Sequence, residues 1–149
     1  MKIKRFNNFI NEEASTLIPV VRWASKKYTA EELKPQKFDW GGFESFGLCF
    51  TPFNGMEDPR INFWKKLLQK HHNKELVANF YYLDLSDFPL KSEAALVDFA
   101  KLTYNSLKAE RMMKTDYKIH MTLTNDFGTA QLVEIRLLEG CTIKILDYK

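Results

Sequence analysis

The chain has 149 residues, of which 45% are hydrophobic and 14% aromatic, and its formal net charge is +3. This length and composition indicate one globular domain with an apolar core and exclude a wholly disordered chain. No apolar run is long enough to span a membrane, so no membrane partner is expected. Residues 1–12 contribute +2 of the charge and the rest of the chain only +1, so no specific nucleic-acid partner is predicted.

Residues 1–12 have the pattern of a short amphipathic helix. Ile3, Phe6, Phe9 and Ile10 recur at three- and four-residue spacings, and basic residues cluster at the start. A helix this short is marginal in water by itself, so it needs an apolar partner surface. That surface is either the body of this protein, which would make the segment part of the fold, or another molecule.

The same segment resembles the capsid-targeting leaders on internal head proteins of T-even-like bacteriophages. Those leaders begin with Met-Lys and end in Phe-Ile-x-Glu, and the phage prohead protease cuts after the Glu. Phe9, Ile10 and Glu12 match this ending. The resemblance implies a processing site at Ile10, Glu12 and Glu13, which divides the chain into a leader, 1–12, and one α+β domain, 13–149. It also implies packaging in the virion interior, followed by injection into the host cytoplasm.

The first half of the remaining chain is predicted to contain two strands and one helix. Apolar and β-branched residues predict strands at 17–23 and 46–52. Between them, Thr-Ala-Glu-Glu at 29–32 is a capping-box signature for a short helix or turn. The aromatic, glycine-rich stretch 38–43 is interpreted as a loop. A helix is predicted to begin at Pro59, because proline suits the first turn.

The second half is predicted to hold strands on both sides of a long helix. Strands are predicted at 75–85 and from 117 to 123, and a helix from Ser92, its N-cap, to Glu110. The closing stretch, 131–145, has two apolar runs separated by Gly140, as a turn or bulge glycine would separate them. This order, with an antiparallel hairpin near the end, predicts an α+β fold with a mixed, mainly antiparallel sheet and two main helices.

Glu134 lies among the apolar residues of the closing stretch. On a strand, Val133 and Ile135 share one face, and Leu132, Glu134 and Arg136 share the other. Two interpretations are open. Either Glu134 and Arg136 lie on a water-exposed face, or Glu134 forms the wall of a cleft.

Three stretches taken in order resemble the mono-ADP-ribosyltransferase family, in its arginine–serine–glutamate class. The first is the apolar strand that contains Arg22. The second contains Cys49, Phe50 and Thr51, with Thr51 in the position of the last hydroxyl of the family's Ser-Thr-Ser motif. The third begins at Glu134 and continues through apolar residues and a glycine into an alternating strand.

The chain departs from the family pattern at three positions. Cys49 replaces the first serine of the second motif, and Leu138 stands where the family usually has proline. Leu132 stands two residues before Glu134, where arginine-modifying members have a second glutamate.

The resemblance implies an ADP-ribosyltransferase-like fold and NAD as substrate. The implied catalytic residues are Glu134, Arg22 and Thr51, and the implied NAD-binding residues are Arg22, Thr51, Phe50, Phe53 and Trp40. Glu134 would stabilise the oxocarbenium ion of the ribose, Arg22 would pair with ribose or phosphate, and an aromatic ring would stack on nicotinamide. The alternatives are an Arg22 ion pair with a neighbouring strand, a β-forming Thr51 and a core Trp40.

No metal is expected, because the chain has no His-Glu-x-x-His or Cys-x-x-Cys motif. The adjacent histidines at 71 and 72 would diverge on a helix. Cys49 and Cys141 are predicted to be buried, reduced thiols in strands.

Three functions are left open. The first is a phage-encoded transferase that is packaged, injected and modifies a host protein with NAD. The second is a non-enzymatic internal head protein that binds and inhibits a host defence factor. The third is an interaction domain whose N-terminal helix belongs to the fold. An open cleft with Glu134 in reach of Arg22 and Thr51 would favour the first.

Overall fold

The computed structural model describes residues 16–33, 37–40, 43–46, 48–72 and 75–148. The predicted leader and its processing site, Ile10, Glu12 and Glu13, lie outside these residues. The described strands are β1 (Leu17–Ala24), β2 (Lys37–Trp40), β3 (Phe43–Phe46), β4 (Leu48–Pro52), β5 (Val77–Asp84), β6 (Ile119–Thr124), β7 (Gln131–Leu137) and β8 (Lys144–Asp147). The described helices are α1 (Lys65–His72), α2 (Glu93–Thr103) and α3 (Leu107–Arg111), with 3-10 turns at Ala30–Glu32 and Pro59–Asn62 and a π-helical turn at Met112–Asp116.

Six strands form one sheet in the order β6-β7-β4-β1-β5-β8, and each of its pairings is antiparallel. The prediction of an α+β fold with a mainly antiparallel sheet is confirmed. Of the three stretches that carry the transferase resemblance, the first contains Arg22 in β1, the second contains Thr51 in β4, and the third begins at Glu134 in β7 and continues into β8 at the far edge of the sheet. The strands of Arg22, Thr51 and Glu134 are β1, β4 and β7. These strands are consecutive neighbours at the centre of the sheet.

One face of the sheet carries the main hydrophobic core. Alternate residues of the central strands point into it, as the two-residue period of a strand requires. Helix α2 covers this face with Leu96 and Ala100, and Met113 of the π-helical turn joins the same cluster. Phe50 and Tyr81 meet edge to face at 5.8 Å in its middle. Burying each such leucine or aromatic side chain contributes about 1.5–3 kcal/mol.

The predicted helix from Ser92 to Glu110 is two helices. Ser92 is the N-cap, as predicted, because its hydroxyl accepts a hydrogen bond from the backbone N–H of Ala95 at 3.1 Å. The helix ends at Thr103, and Ser106 caps a new one by accepting from Ala109 at 3.1 Å. Serine bonds readily to nearby backbone groups, which favours a cap over a helix interior.

Three other local predictions need correction. Of the stretch 38–43, predicted to be a loop, residues 38–40 lie in β2 and residue 43 in β3, in keeping with the strand preference of aromatic residues, and residues 41–42 lie outside the described residues. Pro59 opens a 3-10 turn, and the α-helix begins only at Lys65. Cys141 follows β7 and lies outside the strands.

The predicted capping box and terminal hairpin are present. The backbone N–H of Thr29 donates to the Glu32 carboxylate at 2.8 Å. The hairpin is formed by β6 and β7. The second apolar run of the closing stretch, β8, pairs with β5 at the opposite edge of the sheet. Gly140, at a φ of +89°, lets the chain leave β7, since this backbone conformation is strained for other residues.

Candidate functional site

Glu134 is a buried carboxylate among polar side chains. Only 5% of its side chain is exposed, so the interpretation that it lies on a water-exposed face is wrong. Its Oε1 lies 3.3 Å from His120 Nδ1, 3.4 Å from Arg136 Nη2 and 3.5 Å from Thr122 Oγ1. The exposed fractions of the His120 and Arg136 side chains are 41% and 28%, so both also meet solvent. Glu134 is therefore enclosed by side chains that reach the surface.

A β-bulge in β7 sets the face on which Glu134 lies. Leu123 pairs with Leu132, but Thr122 pairs with Glu134, so Val133 is an extra residue without a partner on β6. An extra residue of this kind reverses the face of the sheet to which the side chains beyond it point. As a result, Leu132 points into the main core while Glu134 lies opposite Thr122 on the other face.

Thr51 holds the bulge from the neighbouring strand. Its hydroxyl donates to the carbonyl oxygen of Val133 at 2.9 Å, and the residue is 2% exposed. On its other side, Thr51 lies opposite Val21 of β1. The hydroxyl is thus occupied by the backbone of β7, one residue before Glu134. This contact supports a positioning role for Thr51 rather than direct contact with a ligand.

The pKa of Glu134 is lowered from its ordinary value of 4.5. Burial is the largest influence and raises the pKa, because it disfavours the charged form. The hydrogen bond from His120, the Arg136 guanidinium and the hydrogen bond from the Cys49 thiol act in the opposite direction and together outweigh it. Glu134 is consequently ionised at neutral pH.

Cys49 lies beside Glu134, opposite Arg136 in the β4–β7 pairing. Burial and the neighbouring Glu134 carboxylate raise the pKa of its thiol, against the opposing charges of Arg136 and Arg22. A thiol with a raised pKa stays protonated and is a poor nucleophile. Cys49 is therefore a protonated hydrogen-bond donor to Glu134.

Arg22 lies where β1 and β4 separate from each other, a place called the sheet division below. β1 pairs with β5 along its whole length, but its register with β4 comprises only Val20 and Val21. Arg22 lies opposite Asn79 on β5 and shares a face with Tyr81, which is opposite to the face of Glu134. Its side chain is half-buried and forms no hydrogen bond or ion pair with another described residue. The alternative of an ion pair with a neighbouring strand thus finds no partner in the described part of the chain.

Arg22 is not brought together with Glu134. The charge of Arg22 acts on the pKa of the Cys49 thiol and the Tyr81 hydroxyl. The groups that lower the pKa of Glu134 are His120, Arg136 and Cys49. Thr51 and Glu134 are therefore brought together through the bulge, whereas Arg22 lies on the other face of the sheet.

The predicted stacking residues are enclosed. Phe50 is 1% exposed and packs against Tyr81, and Phe53 is 3% exposed and packs against Phe80 at 5.5 Å. Neither ring presents a free face to a ligand in this arrangement. Trp40 lies in β2, and its side chain is not among those described. These positions favour a core role for Phe50 and Phe53.

Sequence reasoning placed Arg136 on the face of Glu134 but missed His120 and Thr122 as neighbours of Glu134. Their spacing held a signal, because Thr122 and His120 alternate on one strand of a hairpin as Glu134 and Arg136 do on the other. The bulge hid that signal, since a one-residue shift reverses the faces.

A second feature is an open concavity of about 630 Å³ beside the N-terminus of α2. Arg60 is 5% exposed at its base, with ion pairs to Asp58 at 2.9 Å and Glu93 at 2.7 Å and a hydrogen bond to the Leu132 carbonyl at 3.0 Å. The acidic residues that line the concavity are Glu57, Asp58, Glu93 and Asp98. This excess of negative charge repels the pyrophosphate of a dinucleotide, so we do not assign NAD to this concavity.

Comparison of the chain with protein-family models, curated proteins and solved structures gives no match. Within the described part of the chain, no group of three or more His, Cys, Asp or Glu side chains is arranged to hold a metal ion. No helix among the described residues is long and apolar enough to cross a membrane.

Proposed function

We propose that this chain is a small NAD-dependent mono-ADP-ribosyltransferase that modifies a host protein. The observation that carries the proposal is the adjacency of β1, β4 and β7, the three strands that hold the motif residues. Side chains from neighbouring strands can act on one substrate where they share a face of the sheet, as those of Thr51 and Glu134 do. The resemblance rests on the residues, order and spacing of three motifs, and the adjacency of the strands is a separate observation that supports it.

Glu134 has the charge that the reaction needs. When the bond between nicotinamide and ribose breaks, positive charge develops on the ribose ring. A fixed carboxylate in a site with little water stabilises that charge more strongly than water does. Glu134 is 4% exposed, and its lowered pKa keeps it ionised. A ribose would approach it past the partly exposed side chains of His120 and Arg136.

A guanidinium group beside Glu134 suits the other end of the substrate. Arg136 forms an ion pair with Glu134 and no other ion pair within the described part of the chain. Guanidinium groups bind phosphate with paired hydrogen bonds. NAD carries a pyrophosphate, which Arg136 would hold on the face of the sheet where Glu134 lies, whereas Arg22 lies on the opposite face.

The phage part of the proposal rests on Phe9, Ile10 and Glu12. In this proposal the prohead protease removes residues 1–12, and the domain 13–149 is packaged, injected and active in the host cytoplasm. The described residues bear only on the domain.

A second candidate function is the non-enzymatic inhibitor of a host defence factor. One surface favours it. Leu102, Tyr104 and Leu107, at the junction of α2 and α3, have exposed fractions of 58%, 66% and 75%. Large apolar side chains grouped on a surface are typical of protein-binding sites.

The test is release of nicotinamide from NAD by the full chain, with Glu134→Gln as the inactive variant. Glutamine keeps the size of the side chain and removes its charge. We expect release by the wild-type protein and at least about 100-fold less by the variant, since removal of one electrostatic stabiliser costs roughly 10²–10³ in rate. No release by the wild-type protein would reject the transferase and leave the inhibitor as the leading function.

A further inference from the structure

His120 and Glu134 form a dyad whose free nitrogen faces solvent. His120 Nδ1 lies 3.3 Å from Glu134 Oε1, and 41% of the His120 side chain is exposed. An ionised carboxylate only accepts hydrogen bonds, so Nδ1 carries the hydrogen in this contact. In the neutral ring, Nε2 is then unprotonated, and it has no hydrogen-bond partner among the described residues. A lone pair is therefore available at the surface, directly above a buried carboxylate.

The charged groups around the dyad disfavour a cationic acceptor. On β7, Glu134 is already paired, and Arg136 lies opposite His120 in the register. On β4, the nearest titratable group is the Cys49 thiol, and across the sheet division lies Arg22. Thr122, on the same strand as His120, adds only a neutral hydroxyl. An incoming arginine would thus meet the Arg136 guanidinium beside a carboxylate that His120 and Arg136 already contact.

The residue two positions before Glu134 does not contribute to the site. Leu132 is fully buried in the main core, because the bulge at Val133 turns it away from Glu134. Its side chain does not face the polar cluster. Acceptor selection must come from the other neighbours of Glu134, and His120 is the most exposed of these.

We propose that His120 is the catalytic base of this site and that the acceptor is a hydroxyl group, of a serine or threonine side chain or of water. This inference rests on the proposed function. As the bond between nicotinamide and ribose C1′ breaks, its electron pair leaves with nicotinamide. The acceptor oxygen forms the new bond to C1′, and its proton moves to His120 Nε2. The resulting imidazolium faces the Glu134 carboxylate, which stabilises its charge.

The experiment uses the full chain with His120→Asn. The asparagine amide can donate to Glu134 in place of Nδ1, but it cannot accept a proton. The matched control is His71→Asn in α1. We expect nicotinamide release to fall about 100-fold in His120→Asn, within the range for general-base catalysis, while NAD affinity changes less than about threefold. The control should keep the wild-type rate.

The acceptor is identified with three probes: water, a serine-containing peptide and agmatine, which carries a guanidine. Mass spectrometry should find free ADP-ribose or modified serine and no modified agmatine. Modified agmatine would overturn the hydroxyl acceptor. If Glu134→Gln is inactive but His120→Asn keeps the wild-type rate, the base assignment falls and the proposed function stands. If the wild-type chain releases no nicotinamide, both fall.

A second measurement tests the contact between His120 and Glu134 without requiring catalysis. Nitrogen-15 NMR of the His120 ring distinguishes the two neutral tautomers. We expect the hydrogen on Nδ1 in the wild-type protein. A hydrogen on Nε2 would overturn the dyad whatever the outcome with NAD.

Discussion

Replacing Thr51 by valine tests whether one hydroxyl holds the bulge that positions Glu134. The Thr51 hydroxyl donates to the Val133 carbonyl at 2.9 Å, and the residue is 2% exposed. Valine keeps the branched shape and removes the donor. The Val133 carbonyl would then lose this partner in the protein interior, where water does not replace it.

The expected loss of stability follows from that contact. Leaving a buried acceptor without its donor costs about 1–3 kcal/mol. For a chain of 149 residues, 1 kcal/mol corresponds to roughly 2–4 °C in melting temperature. Taking about 2 kcal/mol, we expect the melting temperature of Thr51→Val to fall by roughly 4–8 °C. Nicotinamide release should also fall, by about tenfold or more, because a small misplacement of a catalytic group has large effects on rate.

Thermal unfolding followed by circular dichroism, and nicotinamide release measured well below the melting temperature, check both effects. The control is Thr142→Val, because that hydroxyl donates to the Asp87 carbonyl at 3.2 Å on an exposed surface. It should change the free energy of unfolding by about 0.5 kcal/mol or less. A Thr51→Val protein with the stability and the rate of the wild type would refute the account of the bulge.

Two further predictions concern acid stability and processing. The pKa values of Glu134 and Asp58 lie below their ordinary values of 4.5 and 3.8 in the folded protein, so the unfolded chain binds protons more readily. Their stabilisation is complete above about pH 5 and is lost as the pH falls through the folded-state values. Urea unfolding should show that the free energy of unfolding decreases between pH 6 and pH 3. The decrease should be smaller in Glu134→Gln, and an equal decrease in that variant would contradict the prediction. Separately, protein recovered from virions should begin at Glu13 by N-terminal sequencing, and an intact Met1 would rule out the leader.

The strands could be predicted from sequence because their apolar residues recur with the two-residue period of a strand. The apolar alternation of 75–85 and 117–123 corresponds to β5 and β6 within a few residues. The order of the strands was not predictable in this way. Nothing in the residues of β8 shows that it crosses from β7 to pair with β5 at the far edge of the sheet.

The site was predictable only in part, and the bulge explains why. Without it, the pairing of Leu123 with Leu132 would continue to Met121 and Glu134, and Glu134 would face the core. The alternating pattern also assigned Leu132 and Glu134 to one face, which is wrong. No residue type signals an extra residue at Val133, because the bond that holds it comes from Thr51, 82 positions away in the chain.

Nicotinamide release from NAD tests the central claim most directly, with Glu134→Gln compared against Glu139→Gln. Glu139 is an exposed carboxylate on the turn after β7, so its variant carries the same change of charge outside the polar cluster. We predict equal rates for the wild-type protein and Glu139→Gln, and a rate at least about 100-fold lower for Glu134→Gln at an unchanged fold. Equal rates in all three proteins, or no release by any of them, would contradict the assignment of Glu134 as the catalytic carboxylate.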